Sequence, residues 1–144
     1  MTAFDLREVP FTNDGLQDSL TLSMAPGLFF EALRREVAGA MRNGTPLSLI
    51  TFALEPAEFA SATEFQEALR KLAFLLRDEM RSEEFFARVS DAGFWVVLKG
   101  TSSECQIFLE RVASQKISGA TSKIFGHAFE SYDEWITRID SEYF

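Results

Sequence analysis

The segment FFARVSDAGFWVVLKG, residues 85–100, contains the pattern that decides the fold. Two apolar runs, residues 85–89 and 94–98, flank a four-residue polar connection, residues 90–93. Both runs are rich in the aromatic and β-branched residues that favour strands, and the connection holds the Ser, Asp and Gly that favour turns. The pattern predicts a β-hairpin with a tight loop. Asp91 is the one ionisable side chain in that loop, so the loop alone offers little chemistry.

Length and composition indicate one globular domain of ordinary size. The chain has 144 residues, of which 47% are hydrophobic, and Phe alone occurs 15 times. Such a composition can bury a core and excludes a disordered chain. The formal net charge of −8 opposes binding to nucleic acid or to an anionic membrane surface, because both carry negative charge. Such binding would need a local basic patch, and the longest basic run, Arg34-Arg35, is too short to form one.

The cysteine content and the N-terminal sequence favour a cytoplasmic protein. Cys105 is the single cysteine, so neither an internal disulfide nor a cysteine-based metal site is expected. The N-terminus lacks the charged-then-apolar layout of a signal peptide. No apolar stretch approaches the roughly 18 residues of a membrane span. We therefore expect no membrane insertion.

Three segments before the hairpin have clear patterns. Pro26 fits the first turn of a helix that Asn43-Gly44 ends, and the apolar residues at helical spacing are Leu28, Phe29, Leu33, Val37, Ala40 and Met41. Residues 46–54 are apolar on both faces, which is typical of a central strand covered by helices. Ser61 and Glu64 have capping-box spacing, and the inward residues of the helix that follows are Phe65, Leu69, Leu72, Ala73, Leu76 and Met80.

Three segments follow the hairpin. Thr101 and Glu104 form a second capping box, which opens a helix with Cys105, Ile107, Phe108 and Val112 inward. Residues 115–119 are predicted to be a loop and residues 121–129 a strand, which holds the single histidine, His127, as a hydrogen-bonded strand residue. Ser131 and Glu134 form a third capping box, and the final helix turns Trp135, Ile136, Ile139 and Tyr143 inward.

The predicted order is therefore α-β-α-β-β-α-β-α. Without its first and last helices the chain reads βαββαβ, which is the plan of the α+β, ferredoxin-like fold with an antiparallel sheet and flanking helices. Residues 1–17 form a lead-in arm, and residues 18–144 form the domain. Phe4, Leu6, Val9 and Phe11 are costly to leave exposed, so the arm is expected to dock on the body of the domain or on a partner.

Several short motifs occur in a characteristic order and spacing. They are Asp18-Ser19-Leu20-Thr21, Leu28-Phe29 to Leu33, Thr45-Pro46-Leu47-Ser48-Leu49-Ile50, Ala87-Arg88-Val89, Ser90-Asp91-Ala92-Gly93-Phe94 and Leu98-Lys99-Gly100-Thr101. In this order they resemble the GGDEF domains, the diguanylate cyclases of bacterial cyclic di-GMP signalling, from about Asp18 to the end of the chain. The segment from Ser90 to Phe94 stands at the signature pentapeptide of that family.

The resemblance implies a metal site that this sequence does not reproduce. In the family, the acidic pair of the signature and a carboxylate ending the first strand hold two magnesium ions, which promote attack of a ribose hydroxyl on a nucleotide's α-phosphate. Here the acidic pair falls on Ala92 and Gly93, and the strand carboxylate falls on Ala53. Magnesium requires oxygen ligands, which these side chains lack. Glu55 lies two residues beyond Ala53, but Pro56 predicts that the strand ends before it.

The family's nucleotide contacts are altered as well. The paired glycines of the signature have become Ser90 and Asp91, and Asp91 stands one place early, where a hairpin turns the side chain differently. The guanine-reading segment is shortened to residues 56–65, with its last positions near Phe65 and Gln66. The basic residues that follow the last helix in the family have no counterpart before residue 144. We therefore expect no cyclase activity, no metal and no cofactor.

One ligand-binding motif of the family is partly retained. Arg81-Ser82-Glu83-Glu84 stands where many members carry R-x-x-D, the inhibitory site that binds cyclic di-GMP. An arginine can bind phosphate or guanine in a fork, and a carboxylate can accept hydrogen bonds from guanine. Arg81 and Glu84 are therefore candidate ligand-binding residues. The alternative is a surface arginine at a helix C-terminus beside ordinary acidic neighbours.

Three interpretations follow from the sequence. The first is a catalytically inactive GGDEF-like domain that serves as a regulatory or protein-interaction module, as a homodimer or bound to a signalling partner. The second is a nucleotide sensor that holds cyclic di-GMP through Arg81 and Glu84, or GTP, without turnover. The third is an unrelated ferredoxin-like domain, for which a missing first helix or a different strand pairing would be evidence.

Overall fold

The computed structural model describes residues 4–115, 117 and 119–143 of the chain. The strands are β1 (Ser48–Leu54), β2 (Phe85–Ser90), β3 (Gly93–Leu98) and β4 (Ala120–Gly126). The helices are α1 (Pro26–Asn43), α2 (Ala62–Glu79), α3 (Ser102–Ala113) and α4 (Tyr132–Tyr143). Two short 3₁₀ turns, Leu6–Glu8 and Pro56–Glu58, precede α1 and α2. None of these helices is long and apolar enough to cross a membrane.

The four strands form one antiparallel sheet in the order β2-β3-β1-β4. β1 and β2 run parallel with β3 between them, so β1, α2 and β2 form a split βαβ unit. β1 is buried on both faces apart from half-buried Ala53. The predicted α+β, ferredoxin-like core with a helix before its first strand is therefore confirmed.

Apolar alternation along the strands divides the core into two layers. On one face α2 and α3 cover a cluster that includes Ile50, Phe52, Leu54, Phe65, Leu69, Leu72, Phe94, Val96 and Phe108. On the other face α1 and α4 cover a cluster that includes Phe29, Leu33, Val37, Leu49, Trp95, Val97, Phe125 and Trp135. Each fully buried Phe or Leu contributes roughly 1.5–3 kcal/mol to stability. The extra helices α1 and α4 thus cover the face that α2 and α3 leave open.

The hairpin turn is tighter than the predicted four-residue loop. Ser90 pairs with Gly93, which leaves a two-residue turn of Asp91 and Ala92. The register shifts between Arg88 and Ser90, so Val89 is an extra residue on β2. Such a bulge increases the local twist of the strand and re-aims the side chains beside the turn.

Most of the predicted helix ends are confirmed. Gly44 ends α1 with φ +65° and its N–H bonds Ala40 O, a backbone conformation that favours glycine. Thr101 and Glu104 exchange both bonds of a capping box. Ser131 and Glu134 do the same at α4. Ser61 caps the Glu64 N–H, while the Glu64 carboxylate accepts from Ala60 rather than from Ser61.

Some predicted positions are wrong. Leu28, Met41 and Ile107 are 41%, 46% and 54% exposed, because each lies beside the buried stripe of its helix and not on it. β4 ends at Gly126, three residues earlier than predicted, so His127 follows the strand. Phe129 takes a left-handed φ of +55°, which ends the extended chain. The side chain of Tyr143 and residues 1–3, 116, 118 and 144 lie outside the described residues.

From Phe4 onward, the lead-in arm lies against the body of the domain. Phe4 and Val9 are 9% and 3% exposed and belong to the core layer beneath α2 and α3. Leu6 packs against the same layer. The sequence left two docking sites open for the arm, the body of the domain and a partner. The structure shows the arm docked on the body of the domain.

Candidate functional site

The two ends of the β2-β3 hairpin hold most of the residues to which the sequence assigned function. The turn end comprises the turn residues Asp91 and Ala92 with the neighbouring Arg88. The cavity end comprises Arg81, Glu84 and the residues where β3 runs into α3. The two ends differ in charge, in burial and in access.

At the turn end, a fully buried arginine organises the structure. The Arg88 side chain is 0% exposed, and its Nε and Nη2 donate to the Asp91 carbonyl at 3.2 and 2.8 Å. Its Nη1 donates to the Pro10 carbonyl and lies 3.4 Å from Asp18 Oδ1. The guanidinium carbon also lies 4.9 Å from the centre of the Phe11 ring. Arg88 therefore joins the turn to the N-terminal arm and to the loop before α1.

Asp18 completes this network. Its Oδ2 accepts from the Thr21 N–H and hydroxyl at 2.9 and 2.8 Å, and from the Leu20 N–H at 3.2 Å. Burial lowers the pKa of Arg88 from its ordinary value, while the charges of Asp18 and Asp91 oppose that shift. An arginine remains protonated even so, and a buried cation needs such a partner. The motifs from Asp18 to Thr21 and from Ala87 to Val89 thus meet in space.

The positions that the resemblance assigns to metal ligands lie side by side. Ala53 is directly opposite Gly93 in the β1-β3 pair, and the Leu54 N–H donates to the Ala92 carbonyl at 2.8 Å. Their side chains offer no oxygen to a cation. Glu55 follows the end of β1, as predicted, and its carboxylate accepts from the Ala57 N–H. Within the described ranges, no three His, Cys, Asp or Glu side chains converge on a site for a metal ion.

At the cavity end, Arg81 and Glu84 line a cavity of about 240 Å³. The Glu84 carboxylate accepts from the Arg81 N–H at 2.9 Å and from the Lys99 N–H at 3.1 Å. It therefore joins the end of the α2-β2 connection to the end of β3. Among the described residues, no carboxylate forms an ion pair with the exposed Arg81 guanidinium. The Arg81 guanidinium is therefore open to an anionic ligand. The Glu84 carboxylate, in contrast, already accepts two backbone hydrogen bonds that hold the fold.

The cavity is electrically balanced. Its charged lining residues are Arg81, Lys99, Arg111, Glu79, Glu84 and Glu104. Arg111 pairs with Glu79 at 3.6 Å, and Lys99 pairs with Glu36 at 3.1 Å. An anionic ligand would therefore meet three cationic side chains, of which Arg81 alone lacks an ion-pair partner among the described residues, beside three carboxylates. This balance weakens long-range attraction.

Two other candidates have structural surroundings. The His127 Nε2 bonds the Glu130 carbonyl at 2.7 Å, and its ring lies 4.9 Å from that of Trp135. Cys105 is 1% exposed in the core beneath α3, and burial raises the pKa of its thiol. A buried thiol with a raised pKa is a poor nucleophile.

The Arg88–Asp18 pair was not predicted from the sequence, although a signal for it was present. Arg88 stands between Ala87 and Val89 in an apolar strand, so its charge required a buried partner. The partner is 70 positions away in sequence, and nothing local identifies it.

Comparisons with known proteins agree with this architecture. No protein-family profile matches the chain, and no curated protein gives a significant sequence match. Solved structures that resemble it include several GGDEF domains. A microbial GGDEF domain studied with cyclic di-GMP has a TM-score of 0.75 at 17% identity, with 88% of this chain and 89% of that chain covered.

Two further structures give the same result. The GGDEF domain of DgcB from Caulobacter crescentus, in complex with cyclic di-GMP, has a TM-score of 0.76 at 18% identity, with 92% of this chain and 90% of that one covered. The diguanylate cyclase SiaD from Pseudomonas aeruginosa, in complex with its activator SiaC, has a TM-score of 0.74 at 19% identity, with 87% and 55% covered. The protein therefore has the GGDEF-domain fold.

Proposed function

We propose that this chain is a catalytically inactive GGDEF-fold domain that acts as a regulatory, protein-binding module in bacterial signalling, either as a homodimer or with a different protein. The observation that supports it most is the group of Ala53, Ala92 and Gly93, which lie together at the turn end without a side-chain oxygen. Two-metal phosphoryl chemistry depends on carboxylates that fix both cations. A protein-binding task for this fold has a parallel in SiaD, which is bound by its activator SiaC.

The direct test is a turnover assay with purified full-length protein, GTP and magnesium. We expect no cyclic di-GMP above the protein-free blank, while an active diguanylate cyclase measured alongside gives product. Synthesis that requires magnesium and rises in proportion to protein concentration would overturn the proposal. Light scattering over a range of concentrations then distinguishes a homodimer from a monomer that awaits another partner.

The second candidate function is a sensor that binds cyclic di-GMP without turnover at the cavity end. It is favoured by one specific observation: the Arg81 guanidinium is exposed in a cavity of about 240 Å³ and has no ion-pair partner in the described part of the chain. A guanidinium recognises phosphate or a guanine edge through paired hydrogen bonds. The balanced charge of the cavity is the reason this function ranks second.

Calorimetric titration with cyclic di-GMP tests the sensor. If the cavity end binds the dinucleotide, Arg81→Ala weakens the affinity at least tenfold. The matched control is Arg35→Ala, which removes an exposed arginine on α1 and leaves the affinity unchanged. No heat with the unmodified protein, or equal affinity in Arg81→Ala, would exclude this site.

A further inference from the structure

The N-terminal arm crosses the two segments that the GGDEF resemblance assigns to the nucleotide. At the start of α2, the Phe4 ring lies 5.4 Å from the Phe65 ring, and Phe65 lies 5.3 Å from Phe59. The Gln66 side chain donates to the Glu8 carbonyl at 3.5 Å. Residues 56–65, the counterpart of the guanine-reading segment, and the neighbouring Gln66 are thus in contact with the arm.

The other end of the arm reaches the hairpin turn. The Pro10 carbonyl accepts from Arg88, and the Phe11 ring lies against the same guanidinium. Val9 is 3% exposed in the core layer against which Ala92 of the turn also packs. The arm therefore occupies the surface between the turn and the beginning of α2.

We propose that residues 4–11 are an intramolecular strap, which closes the cleft between the hairpin turn and α2 and opens while the sheet stays folded. This inference rests on the proposed function, because the resemblance identifies the cleft as the nucleotide's place. It goes further because it assigns residues 4–11 of the same chain as the occupant of that cleft. A segment of a partner protein reaches the cleft only when the strap leaves, so the strap controls access.

The way the arm is held explains why it opens separately. For residues 5–11, the described hydrogen bonds to the rest of the domain come from two side chains, those of Gln66 and Arg88. No backbone ladder joins this segment to the sheet. The segment ends at a turn, residues 13–15, where Gly15 takes a φ of +90°. Few hydrogen bonds thus hold the strap, and the buried side chains of Phe4 and Val9 are the main contacts that must break when it opens.

Thiol labelling of the full-length chain tests the strap. Val9→Cys places a near-isosteric thiol on the buried face of the strap itself, and the native Cys105, 1% exposed in the same core layer, reports opening of the core. We expect the introduced thiol to react at least tenfold faster than Cys105, at a rate that is insensitive to low urea. Equal rates with equal urea dependence would show that the arm opens only with the whole core and would overturn the proposal.

Two further variants make the test independent of one substitution. Phe11→Ala removes the ring stacked on Arg88 and is expected to speed labelling of Val9→Cys several-fold without changing Cys105. Leu16→Cys, at a position 62% exposed, gives the unprotected rate. If Val9→Cys does not fold, amide exchange of Glu8 and Val9 in the unmodified chain replaces it. Exchange as slow as in β1 would then overturn the strap.

Thiol labelling tests the strap and the turnover assay tests catalytic inactivity, so the two proposals can fail independently. Cyclic di-GMP synthesis would refute the proposed inactivity and leave a fast-labelling strap in place. Uniform labelling would refute the strap and leave the inactivity in place.

Discussion

The two ends of the β2-β3 hairpin use charge in opposite ways. At the turn end, Arg88 is completely buried, and every contact it makes is internal. At the cavity end, Arg81 is exposed beside an open cavity, and its guanidinium has no ion-pair partner among the described residues. The turn end, where the resemblance puts catalysis, is thus built for stability. The cavity end leaves one guanidinium exposed, and we propose it as the contact for a ligand.

This contrast indicates which contacts are structural. A buried charge with a complete set of partners costs several kcal/mol to break, whereas an exposed charge costs little. Substitutions at the turn end should therefore change stability most. Substitutions of exposed groups at the cavity end should change binding and leave stability almost intact.

The largest effect is expected for Asp18→Ala. The variant leaves the Arg88 guanidinium buried without its carboxylate, and it removes the acceptor for Thr21 and Leu20. We expect a loss of about 3–5 kcal/mol in the free energy of unfolding, measured by urea denaturation. The matched control Asp140→Ala removes an exposed aspartate on α4 and should change stability by less than about 0.5 kcal/mol. Equal losses of unfolding free energy in the two variants would mean that the buried Asp18–Arg88 pair stabilises the fold no more than an exposed aspartate does.

A smaller effect is expected for Glu84→Ala at the cavity end. Its carboxylate accepts from two backbone N–H groups, those of Arg81 and Lys99. Losing charged acceptors of this kind should cost about 1–3 kcal/mol in unfolding free energy. Glu83→Ala, the neighbouring exposed position, is the control and should be nearly neutral. A neutral Glu84→Ala would show that water replaces the carboxylate without cost.

The fold was largely predictable because its signals are local. Two apolar runs around Ser, Asp and Gly define the hairpin, and Ser/Thr-to-Glu spacing marks where three helices begin. Helical spacing was less informative about the burial of residues at the border of a helix's buried face. Ile107 has helical spacing but lies beside the stripe of Cys105, Phe108 and Val112, so that it is exposed.

The candidate site was predictable only in part because its contacts are non-local. Sequence placed Arg81 and Glu84 near each other, and the structure puts both on one cavity. Sequence could not reveal that Glu84 is bound by Lys99, 15 positions away, nor that Phe4 covers Phe65. Those contacts depend on how the arm and the helices pack, which no local pattern encodes.

The third prediction concerns pH at the C-terminal end of β4, the edge strand opposite β2. Arg138 binds both Glu130 and the Gly126 carbonyl, and its hydrogen bond lowers the pKa of Glu130 below the ordinary 4.5. A carboxyl whose folded-state pKa is lowered adds stability above its unfolded pKa and loses that stability as the pH falls through the folded value. Because the pair is partly exposed, we expect only about 0.5 kcal/mol.

Urea midpoints at a series of pH values from about 6 to about 3 measure this contribution. The unmodified protein should lose more stability over that interval than Glu130→Gln, which cannot titrate at residue 130. Parallel pH profiles for the two proteins would show that the ion pair contributes nothing in solution.

The smallest effect on stability is expected for Arg81→Ala. Its side chain is exposed and has no ion-pair partner among the described residues, so the free energy of unfolding should change by less than about 0.5 kcal/mol. The same variant is the one that weakens cyclic di-GMP binding at least tenfold if the cavity end is a sensor. A loss above about 1 kcal/mol would mean that the guanidinium supports the fold, in the manner of Arg88. The contrast between the two ends would then fail, because neither arginine would be free to bind a ligand.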